Sequence, residues 1–345
     1  MLQSRGLSPR TSVGSTSSFF IVSSHIKAHA AGQMEPLTFA PLYMERVWGG
    51  RTLETAYNRE LPKSEAPYGE SWEIVDREQE QSFVQAGIHA GKSMHQLWMD
   101  HREEVFGLGF PDHPRFPLLI KVLDARDDLS IQVHPPAGLA TTLGGEPKTE
   151  MWYIADCNPA AKLFVGLKLG TSRADFEKSI ADGTVADLVH AITPQCGESI
   201  FIASGRLHAI GAGFLIHEIQ QNSDTTYRVF DWNRLGLDGK ARELHIAESL
   251  ASIDFRDFAP TMDIPCRNTL AECEFFKTDK ISLEPGQIIS NPTKERFSIL
   301  SIIEGTLMSD NGHHFHKGQF MLIPRNGSPL TATENAIVLQ VTIPV

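Results

Sequence analysis

Between Phe116 and Trp232 the chain breaks into a series of short runs rich in β-branched and aromatic residues: FPLLIKVLDA, SIQVHPP, MWYIAD, KLFVGL, ESIFIAS, GFLIHEIQQ and TYRVFDW. Gly, Pro, Asp and Asn punctuate them. Many short strands with such punctuation predict a β-sandwich or barrel. Two helical patches interrupt the pattern. In SMHQLWMDHREEVFG, Ser93 is a candidate N-cap, Leu97, His101 and Val105 recur at four-residue spacing, and Gly107 is the stop. In SRADFEKSIADGTVADLVHAI, Phe176 and Ile180 precede Val185, Leu188, Val189 and Ile192, and Gly183 divides the stretch into two short helices. A further section begins near Ala259, where Pro260 and Pro265 mark a linker-like stretch. Beyond it, IIEGTLMSDNGHHFHKGQFMLIP alternates strands with Gly turns in the manner of a jelly roll. The expected organisation is a tail over residues 1–33, a main β-domain with helical segments over 34–259, and a smaller β-domain over 260–345.

The tail reads differently from the rest. SRGLSPRTSVGSTSSFF is rich in Ser, Gly and Thr without periodicity, and the apolar patch FFIV is cut short by Ser23, Ser24 and His25. That is too short for a signal peptide core. A transit-like or disordered tail is expected, with Met34 as a candidate start. No apolar run approaches the roughly 20 residues that span a bilayer. The formal net charge of −11, with no long basic run, argues against nucleic acid as a partner and leaves room for a small anionic ligand in a local cationic pocket. The four cysteines, Cys157, Cys196, Cys266 and Cys273, form no CxxC pair, which argues against a disulfide framework or thiolate cluster and fits a reduced, cytoplasmic compartment.

Chemistry concentrates in three places. In LSIQVHPP, alternation puts Ser130, Gln132 and His134 on one strand face with Ile131 and Val133 on the other, a pattern suited to lining a cavity. In PKTEMWYI, Lys148, Glu150 and Trp152 share a face. In ASGRLHAIGAG, His208 occupies a Gly-flanked turn after a strand. Brought together in one barrel, Gln132, His134, Glu150 and His208 supply two imidazoles, a carboxylate and an amide oxygen, a set suited to a borderline divalent cation. Taken singly, each has a structural alternative: hydrogen-bonded buried histidines, or Glu150 paired with Lys121 or Lys148. Trp48 and Trp152 suit either the apolar face of a ligand or the core. His313, His314 and His316 in NGHHFHKG have no acidic or thiolate neighbour in sequence and read as a solvated turn. No P-loop or GxGxxG is present, which argues against a nucleotide substrate.

The blocks RFPLLIKVLDARDDLSIQVHPP, KTEMWYI, SGRLHAIGAG and EIQQNSDTTYRVFDWNR, with YMERVWGG and GESWEIVD before them and RELHIAESL after, resemble in order those of type 1 mannose-6-phosphate isomerase, the cupin phosphomannose isomerase, in its short bacterial form. The resemblance implies a mainly β cupin, or jelly-roll, barrel with short helical insertions and a smaller cupin-like C-terminal domain. It implies one zinc ion per chain held by Gln132, His134, Glu150 and His208, a phosphosugar substrate, and interconversion of mannose 6-phosphate and fructose 6-phosphate through a cis-enediolate. Arg228 takes the place of the family's active-site arginine and Lys148 that of its KTE lysine, while Lys121 and Ser130 help hold the phosphate. A charged, planar guanidinium at Arg228 suits an enediolate; the alternative is an ion pair with Asp224 or Asp231. Burial beside a cation would lower the pKa of Lys148 and make it a base; the alternative is charge balance for Glu150. Two other functions fit a similar ligand set or fold: an iron oxygenase of the same fold, and a sugar-binding protein without catalysis.

Overall fold

The run LLIKVLDA is buried on both faces along its whole length, which places it in the middle of a sheet covered on both sides. The computed structural model describes residues 33–344, so the N-terminal tail read from the sequence lies, apart from Gln33, outside the described residues. The strands of the first part are β1 (Leu37–Thr38), β2 (Leu42–Gly50), β3 (Tyr68–Ile74), β4 (Leu118–Ala125), β5 (Ile131–Val133), β6 (Glu150–Cys157), β7 (Leu163–Leu167), β8 (Val189–Ile192), β9 (Ser199–Ile202), β10 (His208–Ile210), β11 (Phe214–Gln221) and β12 (Tyr227–Phe230). The remainder are β13 (Thr269–Glu272), β14 (Lys277–Leu283), β15 (Ile288–Ile289), β16 (Ser298–Glu304), β17 (Thr306–Ser309), β18 (His314–His316), β19 (Phe320–Ile323), β20 (Leu330–Ala332) and β21 (Ala336–Thr342). Short helices intervene: α1 (Thr52–Tyr57), α2 (Met94–Asp100), α3 (Arg102–Val105), α4 (Ala137–Ala140), α5 (Arg173–Asp182) and α6 (Ile246–Ser252). The fold is mainly β, as the sequence predicts.

Four sheets result. One has the order β2-β3-β4-β11-β6-β9 and a second β12-β5-β10-β7-β8; together they form the first sandwich. The C-terminal strands make the other two, β1-β19-β16-β21-β14-β13 and β15-β20-β17-β18, with an apolar core of their own that includes Leu300, Ile302, Met321 and Val338. The two-residue strand β1 pairs with β19, so the start of the described chain is stitched into the C-terminal sheet.

Alternation in the central strands decides which side chains meet. In β11, Leu215 and Ile219 enter the core shared with Ile120, Met151, Ile299 and Val341, which joins the first sandwich to the C-terminal sheet. Ile216 turns the other way, into the interior of the first sandwich with Leu123, Trp152 and Val165. In the second sheet, Ile131, Val133, Leu207, Ala209, Tyr227 and Val229 pack outward with Phe176 of α5 and Leu250 of α6. The residues between them, Gln132, His208 and Arg228, therefore face the interior.

The local expectations hold in part. Ser93 caps α2 with a capping box closed by Gln96, but the helical patch is two helices rather than one, because His101 leaves helical geometry at φ −126°. After Gly183 (φ +72°) the chain makes only a 3-10 turn over Val185–Leu188, and Val189–Ile192 becomes a strand because it pairs with β7. The segment at Pro260 is tied down rather than linker-like: Ala259 N–H donates to the Leu167 carbonyl, and Pro260 fills the space over Gly166. The histidines of NGHHFHKG lie at the end of a turn and along the exposed strand β18. All four cysteines are free thiols, with Cys157 and Cys196 sulfurs 3.3 Å apart.

His217 lies on the face of β11 opposite Glu218, fully buried between Tyr57 Oη at 2.5 Å and Ser301 Oγ at 2.8 Å. Both partners are hydroxyls, which can donate or accept, so a neutral imidazole is satisfied at both nitrogens. Burial depresses its pKa to about 3, with the charges of Arg59 and Lys317 adding to the effect. The unfolded chain takes up a proton near pH 6.5 that the folded chain refuses until far lower. Stability from this residue is therefore present above pH 6.5 and is lost as pH falls from there toward 3, by up to about 1.4 kcal/mol per pH unit. In urea denaturation we expect His217→Leu to be less stable at pH 7.5 by about 1–3 kcal/mol, because Tyr57 and Ser301 lose their partner. Its stability should also decline less steeply than that of the wild type between pH 6.5 and 4. Equal slopes would rule out His217 as a source of acid sensitivity.

Candidate metal centre

The two sheets of the first sandwich present complementary rows. In the second sheet, antiparallel register puts His208 of β10 and Arg228 of β12 on either side of Gln132 in β5. His134 follows one residue after β5 ends. In the first sheet, Glu150 opens β6. His208 is thus a strand residue rather than a turn residue. The turn comes just before it, where Gly205 (φ +89°) donates its N–H to the His134 carbonyl and so ties the two histidine-bearing segments together.

His134, Glu150 and His208 are fully buried, with ligand atoms all within 4.8 Å of one another. His134 Nε2 lies 3.6 Å from Glu150 Oε2, and His208 Nε2 lies 3.7 Å from Glu150 Oε1. Each imidazole donates its Nδ1–H to a backbone carbonyl, His134 to Thr225 at 2.8 Å and His208 to Arg206 at 2.9 Å. Those bonds fix the tautomer and turn both Nε2 lone pairs inward, as supporting bonds do around a ligated metal. Burial lowers both histidine pKa values, with Lys148 adding to the effect at His134 and the neighbouring His134 at His208, whose value falls to about 3. Burial alone would raise the Glu150 pKa, but Lys148 together with His134 and His208 outweighs it and holds the carboxyl well below its ordinary range. His134 Nε2 and Glu150 Oε1 have no hydrogen-bond partner. Buried polar atoms are seldom left so, and a divalent cation between them fits this donor set. The Gln132 amide is 3.3 Å from His208 Nε2 through its nitrogen and 3.2 Å from Ser130 Oγ through its oxygen. Turning the amide by 180° would bring the oxygen to the cluster, and amide orientation is set by such partners.

Around this cluster runs a buried chain of alternating charge. Lys148 Nζ is 2.7 Å from Glu150 and 3.8 Å from Glu218; Lys121 Nζ is 3.7 Å from Glu218, 3.7 Å from Glu70 and 3.6 Å from Asp224; Arg46 closes on Glu70 at 2.9 Å. Burial would lower the Lys148 pKa, but Glu150 and Glu218 outweigh it and raise it, the opposite of the downward shift expected from the sequence. Glu218 is pushed up to about 7 by burial and by the Glu150 charge, against the pull of Lys148 and Lys121. Glu218 is not among the residues singled out from the sequence, although the alternation in FLIHEIQQ puts it on the face opposite His217. Lys121, read as a phosphate contact, is enclosed by three carboxylates and lies over the Trp72 ring at 4.8 Å. Such a lysine is already neutralised and makes a poor anion cradle.

Arg228 is half-buried. Its Nε donates to Ser130 Oγ at 3.3 Å and its Nη1 to the Glu243 carbonyl at 2.8 Å. Neither expected ion pair forms: Asp231 is held by Arg234 at 2.9 Å and Arg242 at 2.5 Å, and Asp224 faces Lys121. Burial and the Arg242 charge lower the Arg228 pKa from the ordinary arginine value, yet a guanidinium stays protonated in a protein. Trp48 and Trp152 belong to the apolar core, and Trp152 Nε1 donates to Glu218 at 3.2 Å.

Residues 37–158 match the family described as phosphomannose isomerase type I, catalytic domain. Over 302 residues, 84% of this chain and 93% of the relative, the sequence is 36% identical to the mannose-6-phosphate isomerase ManA of Bacillus subtilis. It is 42% identical over 220 residues to the probable mannose-6-phosphate isomerase GmuF of the same organism, covering 63% of this chain and 68% of that one. The crystal structure of the mannose 6-phosphate isomerase from Bacillus subtilis superposes with a TM-score of 0.80 at 31% identity, covering 90% of this chain and 100% of that chain.

The cluster makes a direct prediction. His208→Ala removes one of the convergent lone pairs and should lose bound metal on dialysis, whereas wild-type protein keeps it, as measured by inductively coupled plasma mass spectrometry. Stoichiometric metal retained by the variant would remove His208 from the ligand set.

Proposed function

The chain belongs to the type I mannose-6-phosphate isomerase family, and on that premise we propose that it interconverts mannose 6-phosphate and fructose 6-phosphate with zinc at the His134–Glu150–His208 cluster, through a cis-enediolate. The carrying observation is the pair of unpartnered buried atoms, His134 Nε2 and Glu150 Oε1, in a site where both imidazole Nδ1 atoms are already committed to backbone carbonyls. Gln132 completes the ligand set once its amide oxygen faces the cluster. A bound zinc ion would supply Lewis-acid polarisation of the sugar's carbonyl and hydroxyl oxygens.

The chain's own groups do the rest. In the isomerisation a proton leaves C2 and returns at C1, and negative charge builds on the sugar oxygens. Arg228 faces that charge with a guanidinium that has no carboxylate partner among the described residues, so its field is not spent internally. Ser130 orients Arg228 through the Nε contact and contributes to holding the phosphate. Lys148 balances the Glu150 carboxylate, which supports the charge-balance alternative over that of a neutral base. Glu218 has the properties of a proton carrier: it is buried, 3.8 Å from Lys148, and raised to a pKa of about 7. Lys121 positions Glu218 by pairing with it from the far side. The C-terminal sandwich buttresses the outer face of the sheet that carries Glu150 and Glu218.

The test is a coupled assay that follows fructose 6-phosphate formed from mannose 6-phosphate by zinc-loaded protein. Turnover is expected; no turnover with zinc, together with oxygen uptake under ferrous iron, would replace the isomerase reading with an oxygenase. For Arg228→Ala we expect unchanged zinc content and a kcat lower by about 10²–10³-fold. A change in KM alone would reduce Arg228 to a substrate anchor.

A further inference from the structure

Among the described residues, one other set of His, Cys, Asp or Glu side chains brings its ligand atoms within 4.8 Å of one another: His89, His101 and Glu104. His89 sits in the turn before α2, His101 is the residue between α2 and α3, and Glu104 lies in α3. Glu104 spans the two rings, with Oε1 3.6 Å from His89 Nε2 and Oε2 2.9 Å from His101 Nδ1. The imidazole centroids are 4.8 Å apart. These spacings nearly repeat the first cluster, where the centroids are 4.7 Å apart and the His134–Glu150 separation is 3.6 Å. Ligands of a tetrahedral zinc ion stand about 3.3 Å from one another, so each set needs only small side-chain rotations.

A second observation points to a ligand. His89 is only 3% exposed, and neither of its ring nitrogens has a hydrogen-bond partner. An imidazole is rarely buried with both nitrogens idle. It does not face a sealed apolar pocket: His101 is partly exposed and the Glu104 side chain is 48% exposed, so an ion has a path from solvent.

We propose that His89, His101 and Glu104 form a second divalent-cation site, separate from the isomerase centre, for a borderline ion such as Zn2+, Co2+ or Ni2+, with solvent completing the coordination. Its place in the fold gives it a structural role. The cation pins the turn at His89 to the α2–α3 joint. The other end of α3 in turn holds the C-terminal sandwich, because the Val105 carbonyl accepts from Arg325 N at 2.7 Å and the Phe106 carbonyl from Phe297 N at 3.1 Å. Filling the site clamps the contact between the two sandwiches without touching the chemistry.

The test is a Zn2+ titration of the full chain in competition with a chromophoric chelator. Wild-type protein is expected to show a weaker class of site besides the tight one at Glu150. His101→Asn and Glu104→Gln, both at accessible positions, should each weaken that second class by more than about 100-fold, beyond the loss expected for a merely supporting group. Both variants should keep the tight class and normal isomerase turnover. Glu150→Gln should lose the tight class and keep the weaker one, so a failure at either centre is read separately. A single class of site in the wild type, or a second class that survives both His101→Asn and Glu104→Gln, overturns the proposal.

Discussion

The fold is organised around a carboxylate it has no ordinary reason to bury. Glu150 is wholly removed from solvent. Taking an ionised carboxylate out of water costs several kcal/mol even after relaxation. The compensation is electrostatic and directional: Lys148 lies at 2.7 Å, and two neutral imidazoles aim their lone pairs into the same space. Lone pairs and a carboxylate repel in close quarters unless something positive stands among them. Lys148 supplies part of that charge from one side, and the remainder is what makes the site suited to a cation.

The charge is not isolated. From Glu150 a line of alternating sign runs through Lys148, Glu218, Lys121 and Glu70 to Arg46, crossing the first sheet from β6 to β2. Each member neutralises its neighbour, which is how so many ionisable groups stay buried on one sheet face. The same wiring sets their proton affinities apart, with Glu150 held low and Glu218 held high, although both are glutamates on adjacent strands. On the opposite face lies the apolar core against which the C-terminal sandwich packs, with His217 and the Arg59–Ser71–Glu73 group as its polar members.

Much of this was legible in the sequence. The alternation at Ser130, Gln132 and His134 has its explanation in the structure: Ile131 and Val133 pack outward with the helices, leaving the polar residues inside. The convergence of His134, Glu150 and His208 was open on residue type alone, conditional on their strands meeting in one barrel, and the resemblance to the isomerase family is what implied the set. What escaped depends on neighbours distant in the chain. Glu218 looked unremarkable until Lys121 of β4, Trp152 of β6 and Lys148 just before β6 came together around it. The direction of the Lys148 shift turns on two carboxylates from different strands, and one of them was the overlooked Glu218. Local propensity likewise gave helix at Val189–Ile192, where pairing with β7 prevails. His101, counted as one apolar-face position of a helix, instead breaks the helix and faces His89.

The row formed by His208, Gln132 and Arg228 lies on three consecutive antiparallel strands. Strand side chains repeat every second residue, so slipping β5 by one position would swing Gln132 out toward the helices and bring Ile131 or Val133 inward. Such a chain could still collapse and bury as much oil, yet it would present a greasy wall where ligand and guanidinium should meet. On the proposed reading of these residues, catalytic competence and correct strand pairing are thus one event, and misassembled molecules are silent from the start.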